Sequence, residues 1–203
     1  MLQSIENKIK SRIYGRGRGW AFTKTDFVTE FGEDNIHRAL CNLTKAGKIR
    51  RICRGVYDYP RYSELLNRQM SPDLDQVAHA LARKFNWRIQ PSGDAALNLL
   101  GISTQVPGRW IYLSDGPSRE YEIGKHSLMF KKSALKDVGF KYRESGLVVQ
   151  ALKALGREHV DQKVVERICQ QLESNACDRI LKDARSVTGW IYEVIKRICK
   201  EAN

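Results

Sequence analysis

Arg38, Asn42 and Lys45 recur at i, i+4 and i+7, flanked by Asn35, His37, Cys41 and Thr44. On a helix that spacing places the three on one face, opposite Ile36, Ala39, Leu40 and Leu43. The types suit a nucleic acid: arginine matches the acceptors of guanine, asparagine pairs with adenine, and lysine and threonine suit phosphates. Immediately downstream, Lys48, Arg50, Arg51 and Arg54 alternate with Ile49, Ile52, Val56 and Tyr57. Any exposed helix can carry an arginine and an asparagine. The basic hairpin that follows is what points to nucleic-acid binding.

Residues for catalysis are harder to find. Asp94, Asp115, Glu120 and Glu122 are acids of the kind that build nuclease sites. Ser92-Gly93-Asp94 matches part of a nucleotidyl-transfer motif, but the second acidic pair is not evident. No P-loop, HExxH or GxSxG occurs. The simpler reading is surface charge, with Asp94 at the favourable end of a helix dipole. The five cysteines, Cys41, Cys53, Cys169, Cys177 and Cys199, include no CxxC pair, and the four histidines are scattered. Reduced thiols that fill cores are expected, with no metal site and no cofactor. An enzyme is not expected.

Charge narrows the partner. The chain of 203 residues carries a formal net charge of +12, which favours a polyanion. No acid lies between Glu6 and Asp26, where Lys8, Lys10, Arg12, Arg16, Arg18 and Lys24 fall. None lies between Asp34 and Asp58, where Arg38, Lys45, Lys48, Arg50, Arg51 and Arg54 fall. Such one-sign stretches suggest phosphate contacts. No apolar run reaches the ~20 residues of a membrane span, and MLQSIENKIK lacks the apolar core of a signal peptide. A cytoplasmic protein without a membrane partner is expected.

These residues need elements to position them. Leu2, Ile5, Ile9 and Ile13 predict a first helix over 2–14. Tyr14-Gly15-Arg16-Gly17-Arg18-Gly19-Trp20 reads as a flexible loop able to lay Arg16 and Arg18 along a phosphate backbone, or as a solvent loop with incidental arginines. Thr23 and Asp26 resemble a capping box that opens a short helix to Phe31, ended by Gly32. Asp34 is the expected N-cap of the next helix, stopped by Gly47. A strand, a basic turn and a second strand, closed by Pro60, complete the order of a winged helix-turn-helix. The expected fold is α+β: a winged helix-turn-helix over 1–62, a linker with a short helical piece over 63–72, and a second α+β domain over 73–203.

In that second domain, Leu74, Val77, Ala78 and Leu81 mark a helix, Trp87 to Gln90 a strand, and Asp94 to Leu100 another helix ended by Gly101. Arg109 to Leu113, Arg119 to Ile123 and His126 to Lys132 read as a three-stranded meander. From about 145 the apolar stripes predict four helices.

A family likeness rests on particular residues. Leu40-Cys41-Asn42-Leu43-Thr44-Lys45-Ala46-Gly47, then Lys48-Ile49-Arg50-Arg51-Ile52-Cys53-Arg54-Gly55-Val56-Tyr57-Asp58-Tyr59-Pro60, resembles AbiEi-type antitoxins of the AbiE abortive-infection systems, called type IV. Pro91 to Gly101, Gln105-Val106-Pro107 and Trp190 add to the likeness less specifically. The resemblance implies an antitoxin of a phage-defence operon. Its winged helix would bind double-stranded DNA at an inverted repeat in its own promoter and repress transcription, and its C-terminal domain would counteract a nucleotidyltransferase-like toxin without a stable complex. The DNA-binding residues expected are Arg16, Arg18, Arg38, Asn42, Thr44, Lys45, Lys48, Arg50, Arg51 and Arg54. The alternatives are a DNA-targeted enzyme, as a cryptic nuclease or nucleotidyltransferase with a winged-helix targeting module, and an RNA-binding winged helix.

Overall fold

Helix α1 (Ile5–Arg16) begins where the Ser4 hydroxyl accepts the amide of Asn7 and ends at Gly17, whose φ of +86° suits glycine. The structure, a computed structural model, describes residues 4–134, 139–173 and 175–201. Leu2, expected in this helix, lies outside the described residues. Ile9 and Ile13 are fully buried, whereas Ile5 is exposed. The helix runs through Gly15 and Arg16, so the glycine–arginine loop is shorter than its sequence suggests.

Strand β1 (Ala21–Phe22) leads into the expected capping box, in which Asp26 accepts the Thr23 amide at 2.9 Å. The helix expected to reach Phe31 is only a 3-10 turn over Lys24–Asp26. Val28, Thr29 and Phe31 are poor helix formers and do not propagate it. Gly32, at φ −64°, is the N-cap of α2 (Glu33–Lys45) and not a left-handed stop. Asp34 lies inside the first turn, beside Glu33, where acids favour the helix dipole. Gly47, at φ +66°, follows the end of α2.

Strands β2 (Arg50–Cys53) and β3 (Val56–Asp58) are antiparallel around Arg54 and Gly55, and β1 joins them in the order β1-β3-β2. Phe22 pairs with Tyr57, which also pairs with Arg51. Ile9, Ile13, Phe22, Phe27, Ile36, Leu40, Leu43 and Ile49 form the core beneath. The expected linker is instead a small hairpin, β4 (Tyr62–Ser63) with β5 (Arg68–Gln69). Asn67 takes the left-handed conformation at its turn, and the Met70 amide closes it on the Arg61 carbonyl at 2.8 Å.

Two compact units result, 1–87 with 121–125, and 88–120 with 126–203. The division thus falls after Trp87, not between 62 and 73. Helix α3 (Leu74–Phe85), expected to open the second domain, belongs to the first unit. The reason is local: Arg83 reaches Asp26 at 2.6 Å and the Ala21 carbonyl at 2.9 Å, while Val77, Ala78 and Leu81 are fully buried.

The second unit contains β6 (Ile89–Pro91), α4 (Asp94–Leu99), β7 (Arg109–Ser114), β8 (Arg119–Ile123, shared with the first unit at its end) and β9 (His126–Lys132). The sheet order is β6-β7-β9-β8, with β7 and β9 parallel, so the expected meander is corrected. Leu128 and Phe130 on β9 are fully buried and favour an interior position, while β8 shows mostly charged, exposed residues and takes the edge. Four helices follow as expected, α5 (Arg143–Leu155), α6 (Gln162–Gln171), α7 (Ala176–Asp183) and α8 (Gly189–Glu201). Their apolar stripes share one core, from Leu147 and Leu152 to Ile191 and Ile198. The fold class is α+β, as expected.

Candidate nucleic-acid interface

Helix α2 turns about 100° per residue, so its buried stripe fixes what points outward. Ile36, Ala39, Leu40 and Leu43 are buried. Asp34, Arg38, Cys41 and Lys45 lie opposite them. Asn42 is turned toward α1, where its Nδ2 donates to Glu6 Oε2 at 2.9 Å. Its amide is therefore held at the seam between two helices. The Thr44 hydroxyl donates to the Leu40 carbonyl at 2.7 Å, so it too is engaged within its own helix.

The remaining cations divide sharply. Arg50 donates from Nε and Nη2 to the buried Asp58 carboxylate and from Nη1 to the Met70 carbonyl at 3.0 Å. It ties β2 to β3, so the guanidinium expected on a phosphate is engaged within the fold. Strand alternation accounts for this: Arg50 pairs with Asp58, whereas Arg51 pairs with Tyr57 and projects from the other face. Arg38, Lys45, Lys48, Arg51 and Arg54 are exposed, and their side chains have no ion pair or hydrogen bond among the described residues.

The glycine–arginine segment lies elsewhere. The Gly19 amide donates to the Tyr59 carbonyl at 2.6 Å, and the Tyr59 amide to the Trp20 carbonyl at 3.0 Å. That anchors the segment just beyond one end of β3, whereas Arg54 and Gly55 turn at the other, about 10 Å of strand away. Arg18 donates to the Pro60 carbonyl at 2.9 Å and lies over the Tyr59 ring, which stacks on Tyr14. Arg16 lies over Trp20. Both arginines pack on aromatic rings. The structure does not bring them to the turn with Arg51 and Arg54.

One residue absent from the sequence reading adjoins that turn. Lys84, in the last turn of α3, donates to the Arg54 carbonyl at 3.4 Å. Its charge and that of Arg51 oppose the effect of burial on Cys53, whose thiol is nonetheless pushed up from its ordinary value. Its sequence signal is the Arg83-Lys84 pair, which bears on the hairpin only because α3 packs in the first unit.

A protein-family model described as a family of unknown function, DUF6088, matches residues 4–180. The chain belongs to the DUF6088 family. No curated protein sequence matches it. Among solved structures it is similar to the RV2827C protein from Mycobacterium tuberculosis, at 13% identity and a TM-score of 0.42, over 100% of this chain and 78% of that one.

The candidate catalytic acids of this DUF6088 chain are spread over α4, the β7–β8 turn and β8. Asp94 is exposed in the first turn of α4. Asp115 accepts the Arg88 amide at 2.9 Å, and Glu120 accepts the Ser127 hydroxyl. No group of three or more His, Cys, Asp or Glu side chains among the described residues is placed to hold a metal ion. No helix among them is long and apolar enough to cross a membrane.

Proposed function

We propose that this DUF6088 chain is a DNA-binding autorepressor that also acts as an antitoxin. The first unit is read as a winged helix-turn-helix, with α2 as the reading helix and the Arg54–Gly55 turn as the wing tip. The observation that carries this reading is the set Arg38, Lys45, Lys48, Arg51 and Arg54: five exposed cations on α2 and the hairpin beside it, unpaired among the described residues. Other cations of the same unit, Arg12, Lys24, Arg50 and Arg83, are matched to carboxylates. A cluster left without carboxylate partners suits a phosphate backbone. On this reading Arg38 reaches base edges and the others meet phosphates.

The antitoxin half of the proposal rests on the resemblance of residues 40–60 to AbiEi-type antitoxins. On that reading the partner is a nucleotidyltransferase-like toxin encoded next to this gene. The test has two arms. Fluorescence anisotropy with a duplex from the chain's own promoter should show tighter binding than to random duplex DNA or duplex RNA, with affinity falling as salt rises. Expression of the neighbouring gene alone should arrest growth, and co-expression with this chain should relieve the arrest. Equal affinity for promoter, random DNA and RNA would defeat the repressor reading; an innocuous neighbour would defeat the antitoxin reading.

A further inference from the structure

The small hairpin β4–β5, with Arg61 and Met70 at its root, carries four of the eight exposed large apolar side chains among the described residues. Tyr62 is 47% exposed, Met70 46%, Leu66 54% and Leu65 94%. One leucine on a surface needs no explanation. Two adjacent leucines at the tip of a hydrogen-bonded turn are different. The Asn67 amide donates to the Glu64 carbonyl and the Leu66 amide to the Ser63 hydroxyl, each at 3.2 Å. The Tyr62 hydroxyl donates to the Asn67 carboxamide oxygen. The leucines are thus held in an ordered turn, which lowers the entropy lost when a partner takes them up.

Strand register and charge point to the partner. Ser63 pairs with Arg68 and Tyr62 with Gln69, so Ser63 and Arg68 share one face and Tyr62 and Gln69 the other. Met70, two residues on from Arg68, falls on the arginine's face. The apolar side chains therefore make no single face for a second copy of the chain to cover. The root of the hairpin is set among guanidiniums: Arg50 donates to the Met70 carbonyl, Arg61 to the Arg18 carbonyl at 3.4 Å, and Arg18 to the Pro60 carbonyl. Arg16, Arg18 and Arg68 are exposed and have no carboxylate partner among the described residues. Against these three the hairpin sets one acid, Glu64. Arg50 opens β2 two residues after Lys48, so the hairpin root adjoins the Lys48 end of the cationic set, away from Arg54.

An apolar tip flanked by arginines fits the minor groove of a duplex, where leucine wedges between base steps while cations meet the phosphates. From Arg61 to Glu64 the arm extends about 10 Å, against a groove ~7.5 Å deep. We propose that the Leu65-Leu66 tip enters the minor groove of double-stranded DNA, unstacks a base step and bends the duplex, with Arg16, Arg18 and Arg68 on the flanking phosphates. A pyrimidine–purine step is favoured, because it unstacks most easily. The proposal rests on the DNA-binding reading and adds a deformation that α2 and the Arg54–Gly55 turn do not require.

Energy transfer between dyes on the two ends of a promoter duplex, titrated with the full chain, measures the bend, and anisotropy on the same samples measures binding. The unaltered chain should bend the duplex by about 20–90°. The double variant Leu65→Ser with Leu66→Ser, at exposed positions, should remove the bend yet change affinity by less than about tenfold, because the phosphate contacts are kept. Its thermal melting should match that of the unaltered chain. Arg68→Ala should lower the salt slope by about one. Binding without a bend, or a bend that survives the double variant, overturns the proposal and leaves the DNA-binding reading standing. Binding to neither promoter nor random duplex overturns both. Sedimentation of the free chain tests the other occupant: a dimer that the double variant dissociates would assign the tip to a second copy and overturn the groove contact.

Discussion

Arg50 holds Asp58 by two hydrogen bonds, Nε to Oδ1 at 3.1 Å and Nη2 to Oδ2 at 2.6 Å, across the strand pair β2–β3. The carboxylate is 2% exposed and the arginine 28%. Removing Arg50 would strand a buried charge. Arg50→Ala is expected to cost about 2–3 kcal/mol of stability, discounted for the arginine's partial exposure. Urea denaturation measures this. A drop in DNA affinity with unchanged stability would return Arg50 to the phosphate contacts.

The unpaired cations should behave differently. Arg51→Ala or Arg54→Ala is expected to leave stability within about 0.5 kcal/mol. Each should weaken promoter and random DNA alike and lower the salt slope by about one. Arg38→Ala should cost about 1–3 kcal/mol on the promoter and much less on random DNA. Anisotropy titrations across salt separate the two classes, and uniform behaviour of all three variants would mean that α2 reads no sequence.

Where the first unit ends can be tested by truncation. A fragment of residues 1–71 lacks Arg83, the partner of Asp26 and of the Ala21 carbonyl, and the buried residues Val77, Ala78 and Leu81. Residues 1–87 should melt at a higher temperature and more cooperatively than 1–71. Identical melting of the two fragments would place α3 outside the folding unit.

Gly146 is required by its neighbour and not by its backbone angle. Gly146→Ala drives a Cβ into the Gln90 carboxamide. Overpacking of this kind costs about 1–3 kcal/mol. The double variant Gly146→Ala with Gln90→Ala should recover part of the loss, and a purely additive double variant would argue against the clash.

Thiol chemistry supplies a pH dependence. Burial pushes up the thiols of Cys53, Cys169 and Cys199, for Cys199 with help from a hydrogen bond to Cys177. A folded value raised above the unfolded 9.0 means that the folded chain binds more protons as pH passes that point. Stability is therefore unaffected by these groups below about pH 9 and falls above it. Melting temperatures between pH 7 and pH 10 should decline, and Cys53→Ser, Cys169→Ser and Cys199→Ser should each flatten part of the decline. A flat profile in the unaltered chain would contradict the shifts.

Sequence alone determined the elements whose signals are local. The buried stripe of α2, the strands β7, β8 and β9, and the four closing helices follow from apolar spacing, and Gly47 marks a stop because it takes a positive φ. The α+β class was legible for the same reason. Tertiary structure decided what depends on a partner distant in the chain. Arg50 and Arg51 are adjacent and alike in type, yet only Arg50 faces Asp58, because strand register sends neighbours to opposite faces. Asn42 and Arg38 share a helical spacing, but α1 brings Glu6 to Asn42 alone. Helix α3 joined the first unit through Arg83, 57 residues from Asp26. The unpartnered Gln90 became evident only once α5 packed over β6, since neither residue type nor spacing tells whether a buried amide finds its hydrogen bond.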